Sequence, residues 1–103
     1  MGFSCIEDVR TRIDEIDDAL VKIIAQRANC VKAAAAFKSD SAAVRAPDRV
    51  EQVINKAREN AAKAGVPEII IEKVYRSMIN AFIDYELKQH EQLQKDQSDS
   101  GRH

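Results

Sequence analysis

From the N-terminal end, apolar residues recur at Ile6, Val9, Ile13, Ile16, Leu20 and Ile23, a spacing of three and four that puts them on one face of a helix. The same positions continue through Arg27, Cys30, Ala34 and Phe37, which predicts a first helix over about residues 5–38. Residues 39–46 are small and polar, favour local backbone hydrogen bonds over a helix and predict a loop. Pro47 then suits the first position of a second helix. That helix, residues 47–64, carries Val50, Val53, Ile54, Ala57 and Ala61 on one face and stops where Gly65 supplies a left-handed cap. After Pro67 a third helix runs to about His90 or a little beyond, with Ile70, Ile71, Val74, Tyr75, Met78, Phe82 and Tyr85 as its apolar side. Beyond Gln94 no apolar group remains, so residues 95–103 are expected to form a disordered polar tail on one helical domain, residues 1–94. The expected fold class is all-α, a three-helix chain with a long first helix.

Length adds a statement about assembly. A helix of roughly 33 residues is about 50 Å long, whereas a compact chain of this size has a radius of gyration of about 13 Å. One chain cannot cover such a stripe, and an intertwined homodimer, with the first helix packed on its symmetry mate, is the economical solution. Only 3 Gly and 2 Pro punctuate the 103 residues, too few for the turns of a sandwich or barrel. Charge is balanced, 16 Lys and Arg against 17 Asp and Glu, and aromatic residues make up 5%, so no basic, base-stacking face is available to nucleic acid. No apolar run approaches the roughly 18 residues of a membrane span, and the first residues have neither a basic region nor an apolar core for secretion. A cytoplasmic protein with no membrane partner is expected. Cys5 and Cys30 are too few for a disulfide scaffold, and His90 and His103 lack ligand-spaced partners, so neither a metal nor a cofactor is expected.

Chemistry enters where charges interrupt the apolar pattern. Arg27 shares a heptad position with Ile6, Ile13, Leu20 and Ala34, and its permanent charge on that face calls for an anion, unless it is an interface arginine that snorkels or is salt-bridged. Lys38 follows eleven residues later, 20° beyond three full turns, so both side chains leave one face of a continuous helix about 16 Å apart. Two long cations at that separation leave room for a small dianion. Arg49, at the start of the second helix, is placed to fold over the same site, and helix N-terminal amides favour anions there. Arg10 lies about 25 Å from Arg27 along the helix, too far to touch the same small ligand, but an antiparallel partner could receive it in its own pocket. On the third helix Tyr75, Ile79, Phe82 and Glu86 form one stripe ending in a carboxyl group, which is costly to bury unless paired or protonated. A salt bridge at the end of the bundle is the structural alternative for Glu86.

These residues resemble the all-helical chorismate mutase family, and within it the isochorismate-pyruvate lyases of salicylate biosynthesis. The matching skeleton covers about residues 6–90: Val9-Arg10, Ile13-Asp14-Glu15-Ile16-Asp17, Gln26-Arg27, Val31, Phe37-Lys38, Ala46-Pro47-Asp48-Arg49-Val50, and Gly65 ahead of the third helix. The resemblance implies a dimer with two pockets for a cyclohexadiene bearing a ring carboxylate and an enolpyruvyl ether. It implies that Arg27 and the other chain's Arg10 bind the two carboxylates, that Lys38 contacts the ether oxygen, and that Arg49 meets the ligand from the loop side. The reaction is pericyclic, so it requires neither nucleophile nor metal; catalysis comes from holding a reactive conformer and placing positive charge at the breaking C–O bond. Mutases of the family usually carry Glu immediately after the arginine of the second helix; here Val50 stands, an apolar choice shared with the lyases. Glu51 does not substitute for it, because one residue turns the helix by about 100°. The favoured reaction is therefore isochorismate to salicylate plus pyruvate, with chorismate to prephenate or an aminodeoxychorismate rearrangement as alternatives. Glu86 departs from the family's usual Gln and is expected to act as a neutral acid donating to the ether oxygen. A helical dimerisation module without catalysis is the reading outside enzymology.

Overall fold

The computed structural model describes residues 2–38 and 40–100, and among them every regular element is a helix: α1 (Ile6–Ala35), α2 (Ser41–Arg45), α3 (Pro47–Ala64) and α4 (Glu68–Ser100). The chain divides into two compact units, Met1–Ala33 and Ala34–His103.

The first unit is α1 up to Ala33. Asp8 in its opening turn accepts a hydrogen bond from the Ser4 backbone N–H at 3.2 Å, and Glu7 and Asp8 at the start with Lys32 near the end complement the helix dipole. Arg12–Glu15 and Lys22–Asp18 pair across adjacent turns on the solvated face, where the acidic residues Asp14, Glu15, Asp17 and Asp18 also lie. No residue of α1 is buried. Its apolar stripe stands about half exposed, from Ile13 at 48% to Ile23 at 60%.

In the second unit the chain leaves helix sooner than periodicity predicts. The Phe37 and Lys38 N–H groups bond back only three residues, to the carbonyls of Ala34 (3.0 Å) and Ala35 (3.1 Å). Asp40 is extended (φ −150°, ψ 176°) because its side chain caps α2, accepting the Ala43 N–H at 2.8 Å. The first helix ends at Ala35, and the continuous helical register expected to link Arg27 to Lys38 does not exist. The stretch expected as a loop holds the short helix α2 instead, and its Val44 is buried.

Ala46 joins α2 to α3. Its N–H closes α2 on the Ala42 carbonyl at 3.0 Å, while its carbonyl accepts the Val50 N–H at 3.0 Å and opens α3. To serve both helices Ala46 takes a left-handed conformation (φ 36°, ψ 62°), the one positive φ among described non-glycine residues. Pro47 contributes by disfavouring a right-handed helical residue before it. At the other end of α3, Gly65 (φ 78°) completes a Schellman closure, its N–H reaching Ala62 at 3.3 Å and the Val66 N–H reaching Ala61 at 2.9 Å.

The core lies where α3 and α2 pack on α4: Val44, Ile54, Ala57, Ala61 and Ile79 are buried, and Ile54 has only 1% of its surface left. The α3 face thus matches its periodicity. On α4 the inward stripe is Ile71, Tyr75, Met78, Ile79, Phe82 and Glu86, while Ile70, Val74 and Tyr85, also expected on the apolar side, are exposed. Helix α4 runs on through residues 95–100, part of the stretch expected as a disordered tail, because neither Gly nor Pro interrupts it before residue 101. The rest of that tail, including His103, lies outside the described residues. No described helix is long and apolar enough to cross a membrane.

The two left-handed joints predict substitutions of opposite sign. Ala46→Gly should relieve strain of about 1–2 kcal/mol, less the added chain entropy of glycine, for a net gain of about 0.5–1 kcal/mol. Gly65→Ala, where an added Cβ meets nothing within 4 Å and the cost is purely backbone, should lose a similar amount. Urea midpoints of the two variants should move in opposite directions from that of the parent.

Candidate active site

In the second unit, Lys38 and Glu86 meet. The turn after α1 delivers Lys38, and the inward stripe of α4 delivers Glu86, whose Oε2 accepts a hydrogen bond from Lys38 Nζ at 3.4 Å. Lys38 keeps a quarter of its side-chain surface exposed, Glu86 only 9%. The sequence directed both residues to one ether oxygen and offered a salt bridge as the structural alternative for Glu86; an ion pair is present, and its basic partner is Lys38. Glu86 Oε1 is buried and has no hydrogen-bond partner. A buried acidic oxygen without a partner is unfavourable in a finished core, and is the expected condition of a group whose partner arrives with a ligand.

Arg49, the third residue of α3, is exposed, and Val50 beside it is half-buried. Val50 borders an open depression with Ile83 and Pro47, edged by the charged residues Arg45, Glu51 and Asp84. Ile83 precedes Glu86 by three residues, about 4.5 Å of helical rise, but neither Lys38 nor Glu86 is among the residues that line this depression.

Glu51 is already engaged. Arg76 of α4 grips it with both terminal nitrogens, Nη1 to Oε1 at 3.2 Å and Nη2 to Oε2 at 3.5 Å, while its Nε donates to Glu72 at 3.3 Å. Arg58 extends the ladder, 3.5 Å from Glu72 and 3.6 Å from Glu68. The hydrogen bonds to Glu51 and then Glu72 raise the Arg76 guanidinium above its ordinary value, so it stays charged, and the fork intact on its side, throughout the neutral range. This pairing has no signal in the sequence, because the two residues are 25 positions apart on separate helices.

Arg10 and Arg27 belong to α1 in the first unit. Arg10 is exposed and Arg27 half-buried, about 25 Å apart along one rigid helix. Both lie on the one helix, as the sequence predicted. Among the described residues no group of three or more His, Cys, Asp or Glu side chains is placed to hold a metal ion.

Comparison with known proteins gives this geometry a context. The chain is 31% identical over 83 residues to a curated protein of Pseudomonas aeruginosa named isochorismate pyruvate lyase, a match spanning 81% of this chain and 82% of that one. The profile of the family described as chorismate mutase type II matches residues 9–87, which include Arg10, Arg27, Lys38, Arg49, Val50 and Glu86. With its all-helical fold and a match across most of its length, the chain belongs to the chorismate mutase type II family.

Proposed function

We propose that this protein is an isochorismate pyruvate-lyase, converting isochorismate to salicylate and pyruvate in a homodimer whose two pockets each draw on both chains. The observation that carries the reading is the Lys38–Glu86 pair with its unpartnered Glu86 Oε1. An ether oxygen entering between these groups would find an ammonium on one side and, with Glu86 protonated, an O–H donor on the other. In the reaction a ring hydrogen moves to the enolpyruvyl methylene carbon as the ring C–O bond breaks. The methylene becomes the methyl of pyruvate, and the ring becomes aromatic. Negative charge develops on the departing oxygen, where Lys38 stabilises it most. Arg27, Arg49 and the partner chain's copy of Arg10 bind the carboxylates and hold the reactive conformer.

Val50 separates this reading from its closest alternative. A chorismate-to-prephenate mutase of this family would be expected to present a carboxylate to the ring hydroxyl from this turn of α3. Here that position is valine, and the neighbouring Glu51 is taken by Arg76 at 3.2 Å. The dimer is favoured by α1, a 30-residue helix that buries none of its residues although Ile13, Ile16, Leu20 and Ile23 form a continuous stripe. Packing of such a face, more than helix propensity, stabilises long helices. The one-domain reading of residues 1–94 is completed in this scheme by the second chain.

Purified protein supplied with isochorismate and chorismate in parallel should release salicylate from the former faster than prephenate from the latter. Prephenate alone would establish a mutase, and turnover of neither would leave a helical association module. Glu86→Gln keeps a donor of the same size and should retain lyase activity. Adding Lys38→Ala in that background, where no unpaired carboxylate is left behind, should lower kcat about 10²–10³-fold with circular dichroism unchanged. If Arg10 serves the partner's pocket, an Arg10→Ala chain mixed with an Arg27→Ala chain should recover activity that each homodimer lacks. Absence of recovery would place both arginines in the service of a single chain's site.

A further inference from the structure

The Glu51–Arg76 fork lies outside the groups that the lyase chemistry uses, yet Glu51 borders the same depression as Val50 and Ile83. Glutamate is a poor wall for a site that must accept a dicarboxylate. It repels the ligand through space, and its flexible stem allows the charge to swing over the apolar floor. Arg76 addresses both problems. It takes both carboxylate oxygens of Glu51 at 3.2 and 3.5 Å, and it is itself held on α4 by Glu72 at 3.3 Å, which Arg58 engages in turn. The Arg76 and Glu51 side chains are 42% and 59% exposed, so their attraction adds little to the stability of the fold. What the fork does control is the position and effective charge of Glu51.

We propose that Arg76 is a positioning residue for anion binding: by pinning and neutralising Glu51 against α4, it keeps a negative charge off the Val50 wall that a dicarboxylate substrate approaches. This rests on the lyase reading above. It accounts for a glutamate at the edge of an anion site, and it gives the α3–α4 ladder a role distinct from holding two helices together.

Steady-state kinetics on isochorismate for Arg76→Gln, Glu51→Gln and the double variant, each checked by circular dichroism and urea midpoint, separate the possibilities. Arg76→Gln leaves Glu51 charged and untethered. It should raise KM about three- to tenfold with kcat nearly unchanged, as expected for a like charge acting over roughly 10 Å, and the rise should shrink in about 0.5 M salt. Glu51→Gln breaks the same ion pair without leaving a negative charge, so its KM should stay at or below that of the parent. The double variant should return KM to that level. Equal impairment by Arg76→Gln and Glu51→Gln would mean that the fork merely clamps α3 to α4 and would overturn the proposal, as would an Arg76→Gln enzyme with unaltered KM. Failure of the parent protein to turn over isochorismate would instead remove the lyase reading, and this inference with it.

Discussion

A carboxyl group with 9% of its side chain exposed is costly to bury without a hydrogen-bonding partner, and the partner of Glu86 is Lys38, 48 positions earlier in the chain. Several elements of the second unit bring the two groups together. The chain turns out of helix after Ala35 and presents Lys38 before Asp40 starts α2, which packs on α4. Because α4 continues its stripe of Tyr75, Ile79 and Phe82 up to Glu86, the carboxyl group is held on a rigid helix, and only the lysine side of the pair retains appreciable contact with solvent. One oxygen of Glu86 remains without a hydrogen-bond partner even so, and it is on this oxygen that the proposed function draws.

Two kinds of contact fix α3 on α4, and they differ in what they can specify. Ile54, Ala57, Ala61 and Ile79 exclude water and supply the driving force, which grows with the area buried and has little directional preference. The ladder from Glu68 through Arg58, Glu72 and Arg76 to Glu51 is largely solvent-exposed, only Glu72 at its centre being partly buried, and contributes little net free energy, but its bonds are directional. Small alanines on α3 let the helices approach, and the ladder between the helices holds Glu51, one of the charged side chains bordering the depression beside Val50.

How much of this was legible in advance depends on whether the deciding force acts along the chain or across it. Pro47 and Gly65 delimit α3 from sequence alone, because proline at a first helical position and glycine in a left-handed cap act through their own backbone geometry. The buried face of α3, the stripe ending at Glu86 and the cations Arg10, Arg27, Lys38 and Arg49 were equally visible, since helical period and charge are local properties. Tertiary structure alone decided the rest. α1 stopped at Ala35, against its periodicity, and the turn that follows carries Lys38 to Glu86 on α4. Ile70, Val74 and Tyr85 face solvent because the position of α2 and α3 on α4, and not the period of α4, selects which of its apolar residues are covered. Lys38 found Glu86, and Arg76 took Glu51, across 48 and 25 intervening positions, distances over which a periodic pattern carries no information about which charges will meet.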